Sequence, residues 1–205
     1  MRERRVAVLV SGGGTNLQAL IDAERAGKIK SGTLSLVISN KEGAYALERA
    51  KAAGIPTATV LRSSYPSAED FEDAIVALLE DAEIDLIVLA GFMVILSRRV
   101  TDAYRDRILN VHPSLIPSFC GEGFYGLRVH EAALDYGVKV TGATVHFVNE
   151  IPDGGRIIMQ KAVEIQAGDT AEVLQRRVME EAEWKILPLS VEQVALEIKE
   201  KKQEK

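Results

Sequence analysis

The chain has 205 residues, of which 47% are hydrophobic and 27% charged, an ordinary globular balance that excludes a disordered, collagen-like or coiled-coil protein. Its net charge of −5 argues against broad nucleic-acid binding, which depends on neutralising phosphates, and leaves room only for a local anion site. The single cysteine, Cys120, excludes an intramolecular disulfide and fits a reducing compartment. Behind the charged start, the apolar run Val6–Val10 is too short for a signal peptide or a membrane span, so a cytoplasmic protein with no membrane contact is expected.

Val6–Val10 has the unbroken apolar pattern of a strand buried on both faces of a parallel sheet. A glycine-rich turn, Ser11–Asn16, follows, and then Leu17, Leu20 and Ile21 fall on one helical face. Residues 34–38, 57–61 and 86–90 repeat the strand pattern, with Phe71, Ile75, Leu78 and Leu79 marking a helix before the last. This alternation predicts an α/β fold: an open, doubly wound, mostly parallel, Rossmann-like sheet with helices on both faces. Residues 108–112 read as a short strand stopped by Pro113, followed by a Ser-, Pro- and Gly-rich loop to about 127 and a helix over 129–136. Strands are expected at 140–148 and 156–165, joined through Ile151–Gly155 by a hairpin or a longer loop. A helical segment begins near Thr170, and Pro188 is expected to kink or divide it. The expectation is one domain over 1–205, with a phosphate-binding half to about 105, a second half over about 106–190, and a fraying helical tail over 191–205.

The turn Ser11-Gly12-Gly13-Gly14-Thr15-Asn16 joins the first strand to the first helix. Glycines let the backbone approach a ligand, and the helix start offers unpaired N–H groups and partial positive charge, so the turn suits a monophosphate. It is neither a dinucleotide fingerprint, since Leu17 stands where the third glycine would fall, nor a P-loop. A plain strand-to-helix turn is the alternative. Asn110 and His112 lie two apart on one strand, so their side chains share a face. Pro113 puts them at the carboxyl edge of the sheet, where open α/β folds place ligands. An imidazole can move a proton and a carboxamide can donate to an oxyanion. Asp153, a turn residue by position, would complete a triad with them.

The segments Ser11–Asn16, Ala90–Met93, Asn110–Pro117, Thr141–Val148 and Asp153–Gly155 resemble, in this order, the 10-formyltetrahydrofolate formyltransferase group. Within it they are most similar to the folate-dependent phosphoribosylglycinamide formyltransferase family, over about residues 5–190. The resemblance implies transfer of a formyl group from 10-formyltetrahydrofolate, a co-substrate, to the amine of glycinamide ribonucleotide in purine biosynthesis. It implies that Asn110 bonds the oxyanion, that His112 donates a proton, and that Asp153 supports the imidazolium. Such a carboxylate would raise the pKa of His112. The same resemblance places Gly14, Thr15 and Asn16 on the phosphate, Glu183 on the ribose, and Met93, Val94, Ile95 and Leu96, with Asn110, around the pterin. Without it, 92–96 would read as core packing and Glu183 as a solvated helix residue.

Val94 and Ala68 stand where the family often has arginine, the loop 118–127 is longer than the common form, and the helix before Glu183 holds one extra residue. His130 and His146 match no catalytic role and are expected to be structural, and no His/Cys spacing suggests a metal. Two relatives of the reaction remain as rivals. Formylation of initiator tRNA would bring a basic RNA-binding domain, and hydrolysis of the formyl folate would bring an extra N-terminal domain. A non-catalytic phosphate-binding module would explain the glycine turn and leave Asn110, His112 and Asp153 without a shared purpose. The expected partners are small molecules, with the chain a monomer or homodimer.

Overall fold

The computed structural model describes residues 3–201. In chain order these form β1 (Arg4–Val10), α1 (Thr15–Arg25), β2 (Gly32–Ser39), α2 (Tyr45–Ala52), β3 (Thr57–Thr59), α3 (Ala68–Asp81), β4 (Leu86–Leu89), α4 (Arg98–Ala103), β5 (Ile108–His112), α5 (Leu127–Tyr136), β6 (Val140–Phe147) and β7 (Ile157–Glu164). The chain ends in α6 (Ala171–Val178), a π-helical turn (Met179–Glu183) and α7 (Trp184–Lys201). The strands make one sheet in the order β3-β2-β1-β4-β5-β6-β7. β1 to β5 are parallel, and β6 and β7 are antiparallel additions.

The alternation of side chains along β1 divides the core in two. Val6, Val8 and Val10 face a layer built by Leu17, Leu20 and Ile21 of α1 with Leu187, Val191 and Val194 of α7. Ala7 and Leu9 face the opposite layer, where Phe71, Ile75 and Leu79 of α3 meet Val100 of α4. Helices on both faces are why all five residues of the run Val6–Val10 are fully buried. Burying each such Val or Leu is worth about 1.5–3 kcal/mol. α3 starts at Ser67, whose hydroxyl accepts from the amide of Asp70. From the same helix, buried Glu72 accepts from the amide of Ser97 at 2.8 Å and from its hydroxyl, fixing the start of α4.

Strand order reverses between β1 and β4, which opens a crevice at their carboxyl ends, the usual ligand position in such sheets. The Ser11 hydroxyl accepts from the Met93 amide at 2.9 Å across that point, joining the loops after β1 and β4.

The C-terminal segment departs from expectation in two ways. α7 runs through Pro188 undivided; the irregularity lies upstream, in the π turn at Met179–Glu183. A π turn loops out one residue, which accommodates the extra residue noted in this helix. The segment from 191 is not a fraying tail. Val191, Val194 and Ala195 are buried, and the Glu192 carboxylate accepts from the amides of Lys30 and Ser31 at 2.6 and 2.8 Å, anchoring α7 to the start of β2. Residues 202–205 lie outside the described residues.

Between β6 and β7, the amide of Phe147 donates to the carbonyl of Arg156 at 2.9 Å, so the strands close tightly at Gly155. A Cβ at Gly155 would sit 1.7 Å from the Phe147 carbonyl oxygen. At Gly12 and Gly13 an added Cβ meets nothing within 4 Å. Gly155→Ala should therefore lower unfolding free energy by more than about 2 kcal/mol, measured by urea denaturation, while Gly12→Ala stays within about 0.5 kcal/mol of the parent.

Candidate active site

The turn after β1 is held from α2. The Gly12 carbonyl accepts from the Ala46 amide at 3.0 Å and the Gly13 carbonyl from the Arg49 guanidinium at 2.8 Å. Gly14 adopts φ 72°, and a Cβ there would lie 2.6 Å from that of Ala46, so glycine is required on both counts. The first intrahelical bond of α1 runs from the Gln18 amide to the Gly14 carbonyl, so the amides of Thr15, Asn16 and Leu17 point out of the helix start. With the partial positive charge at that end, they form an anion cradle.

Glu183 faces this turn from the π turn. It is 6% exposed, and its Oε2 accepts from Asn16 Nδ2 at 2.7 Å. Burial pushes its pKa up to about 7, against the opposing pull of the Asn16 hydrogen bond. Glu183 is thus no solvated helix residue; the looped-out residue turns it inward.

At the other end of the crevice, β5 and β6 pair so that Asn110 opposes His146 and His112 opposes Thr144. The β6–β7 turn carries Asp153, at φ 54°, back over this pair. Asp153 Oδ2 lies 3.4 Å from His112 Nδ1, and Oδ1 lies 3.4 Å from His146 Nε2 and 3.5 Å from Asn110 Nδ2. Asn110, His112 and Asp153, predicted as a triad, meet. His146 joins them, 2% exposed, with Nε2 3.2 Å from Asn110 Nδ2 and Nδ1 2.8 Å from the Phe147 carbonyl oxygen. Sequence spacing could not reveal this, because the register between β5 and β6 is a tertiary fact. His130 stays apart: it is fully buried, and burial, then the neighbouring charge of His112, pushes its pKa down to about 4.

The loop 113–126 closes over His112. His112 Nε2 lies 2.8 Å from the Phe119 carbonyl, and the Gly121 amide donates to Asp153 Oδ2 at 2.9 Å. Thr144 ties the loop down: its hydroxyl donates to the Ser114 carbonyl at 2.7 Å and accepts from the Ile116 amide at 3.1 Å. Burial pulls the His112 pKa below its ordinary value, and it outweighs the Asp153 charge and the Phe119 carbonyl, which both raise it. The expected net rise is corrected: the carboxylate acts in the expected direction, but desolvation is larger. For Asp153, burial acts upward, yet the His146 hydrogen bond, the His112 charge and the Gly121 amide together hold its pKa below the usual value.

Of the segment after β4, Leu96 is core, Val94 is partly buried against the α3 layer, and Met93 and Ile95 are 55% and 67% exposed at the crevice end. Two large apolar side chains left open there are unusual for packing residues and suit contact with a ligand. A cavity of about 420 Å³ opens between α4 and the β6–β7 turn, walled by Arg98, Thr101, Val148 and Asn149 among others. Among the described residues, no three His, Cys, Asp or Glu side chains are arranged to hold a metal ion, and no helix is long and apolar enough to cross a membrane.

A doubly wound sheet with an anion cradle at its reversal point, and an amide, an imidazole and a carboxylate at its carboxyl edge, defines an α/β protein equipped for acyl-type transfer. The chain belongs to the formyl transferase family, whose sequence profile matches residues 4–191. It is 44% identical over 188 residues to the phosphoribosylglycinamide formyltransferase of Haemophilus influenzae, covering 92% of this chain and 85% of that one. It is 46% identical over 194 residues to the human trifunctional purine biosynthetic protein adenosine-3, covering 95% of this chain but only 18% of that protein's length. Among solved structures, glycinamide ribonucleotide transformylase 1 from Symbiobacterium toebii superposes with a TM-score of 0.88 at 43% identity, covering 94% of this chain and 88% of that one.

Two predictions follow from the charges. Because the folded-state pKa of Glu183 is raised from 4.5 to about 7, its stabilising contribution is full below pH 4.5 and is lost as pH rises through 7. Glu183→Gln should remove about 2–3 kcal/mol of the stability difference between pH 5 and pH 8 in urea unfolding. Equal pH dependence in the two proteins would contradict the buried carboxyl. Separately, Asp153→Asn removes the charge that raises the His112 pKa, so the imidazole should titrate at lower pH by NMR; an upward shift would contradict the stated balance.

Proposed function

We propose that the chain transfers the formyl group of 10-formyltetrahydrofolate to the amine of 5-phosphoribosylglycinamide, giving formylglycinamide ribonucleotide and tetrahydrofolate in de novo purine biosynthesis. The observation that carries this reading is the meeting of Asn110, His112 and Asp153, from a strand and a distant turn, at one end of the crevice whose other end is the anion cradle. The Gly14, Thr15 and Asn16 backbone holds the phosphate, and Glu183, beside Asn16, receives the ribose hydroxyls. Met93, Val94, Ile95 and Leu96, with Asn110, form the pterin end, where Met93 and Ile95 leave apolar surface open.

In the reaction, the substrate amine forms a C–N bond to the formyl carbon, the carbonyl oxygen gains negative charge, and the bond from that carbon to the folate nitrogen breaks. Asn110 donates to the oxyanion. His112 delivers the proton that the leaving nitrogen takes up, and the net proton lost by the attacking amine balances it. His112 sits between the Asp153 carboxylate and the Phe119 carbonyl, so a proton on either ring nitrogen has an acceptor, while burial keeps that proton loosely held. We place the protein in the cytoplasm, acting on these small molecules, without nucleic acid, metal or membrane, as a monomer or homodimer.

The deciding assay mixes purified protein with glycinamide ribonucleotide and the formyl folate and follows deformylated folate by absorbance. Turnover that needs the ribonucleotide is expected; turnover with water or charged tRNA instead would reject the assignment. His112→Ala should lose at least about 10²-fold in kcat while retaining ribonucleotide affinity.

A further inference from the structure

We propose that Arg49 is a positioning residue for the ribonucleotide phosphate: from α2 it holds the Gly13 carbonyl to one side and so turns the Gly14 N–H into the anion cradle. This rests on the reading of the glycine turn as the phosphate site.

A trans peptide is planar, with its C=O and N–H pointing in opposite directions. The Gly13–Gly14 peptide is gripped at its oxygen, where Arg49 Nε donates at 2.8 Å. Its N–H, which belongs to Gly14, therefore points away from the guanidinium. Gly14 is left-handed, at φ 72° and ψ 35°, and Thr15 opens the right-handed α1. Such a reversal of hand brings successive N–H groups to one side, a concavity that suits an anion. The Gly14 amide thus joins those of Thr15 and Asn16 at the cradle. Glycine backbones are the most freely rotated in a chain, and at Gly13 even an added Cβ would meet nothing within 4 Å. The plane of this peptide is therefore set by the grip on its carbonyl.

Arg49 is itself held. Its Nη1 donates to Gln18 Oε1 at 3.0 Å, and Gln18 Nε2 donates to Asp22 Oδ1 at 2.9 Å, one turn further along α1. The second bond fixes which end of the Gln18 amide faces the guanidinium. The guanidinium carbon also lies 4.9 Å from the centre of the Tyr45 ring. Residues of α1 and α2 thereby lock a planar fork with Nε on the turn, which a point charge on a flexible stem would not reproduce. An amide fixed in advance costs no ordering when the phosphate arrives. The phosphate does not react, so the effect falls on ribonucleotide binding and not on the rate of the bound complex.

The test measures kcat, both KM values and thermal unfolding for Arg49→Met, Gln18→Leu and the double variant. Each is assayed with glycinamide ribonucleotide and with its riboside, which lacks the phosphate. For Arg49→Met we expect the ribonucleotide KM to rise about 10- to 30-fold, with kcat and the folate KM within about threefold. Gln18→Leu should move the same constant in the same direction by less, and should add nothing to Arg49→Met. With the riboside, parent and variants should share kcat/KM within about twofold. The ribonucleotide difference should persist in about 0.5 M salt, where the pull of a distant charge is screened. An unchanged ribonucleotide KM, an equal loss with the riboside, or a difference that salt abolishes would overturn the proposal. Should Arg49→Met not fold, Gln18→Leu is judged by the same outcomes. Parent protein without transfer to the ribonucleotide would reject the reaction itself. Calorimetry with ribose 5-phosphate then decides the role of Arg49: weaker binding in the variant supports it, and equal binding overturns it.

Discussion

The Asp153 carboxylate must be both desolvated and charged, and the rest of the site follows from how that is done. Taken from water without partners, a carboxylate would take up a proton. Here one oxygen faces His112 and the Gly121 amide, and the other faces His146 and Asn110. Three elements supply these partners: β5, β6 and the loop after β5. The charge is thus stable only where all three have docked, which couples the chemistry to the closure of the sheet's antiparallel end. The cost is visible at Gly155, where the backbones approach so closely that no side chain fits.

Two kinds of sheet share the work. The parallel half offers an anion cradle of backbone amides at a helix start and, from β5, the side chains of Asn110 and His112 at the carboxyl edge. It cannot bring a residue back over the same edge, because each strand leaves through a crossover. The antiparallel β6 and β7 do this, since their turn returns Asp153 over the residues on β5. The π turn and the C-terminal helix then tie the glycine-turn end in place, through Glu183 to Asn16 and Glu192 to the start of β2.

Much of this was legible in the sequence, and for identifiable reasons. Strands covered on both faces leave apolar runs, unbroken in Val6–Val10 of β1 and in β4 and interrupted only by Ser35 in β2, so these can be read directly, β5 is marked by Pro113 after it, and the glycine turn and Asn110, His112 and Asp153 stand out by residue type. α2 and α4 could not be read. α2 packs through Ala46, Leu47 and Ala50, a face with a single large apolar residue, and α4 has only six residues, two of them arginine. The place of His146 beside Asn110 and Asp153 could not be read, because these partners lie across a ladder whose register sequence does not reveal. By periodicity alone Glu183 reads as a solvated helix residue, because a π turn, not the regular 3.6-residue repeat, decides which way it points.

The two ends of the crevice solve opposite electrostatic problems with the same side chain. At Asp153, donors and neighbouring imidazoles outweigh burial, and the acid stays charged. At Glu183, one amide donor does not, and burial carries the carboxyl to a pKa of about 7. A fully charged Glu183 beside the cradle would repel a phosphate held by the amides of Thr15 and Asn16. A carboxyl that readily holds a proton can remain beside an anion and still accept from a hydroxyl. The difference between the sites is therefore the number of donors each backbone can aim at a carboxylate: a turn folded over two strands aims several, and a helix side facing one asparagine aims one.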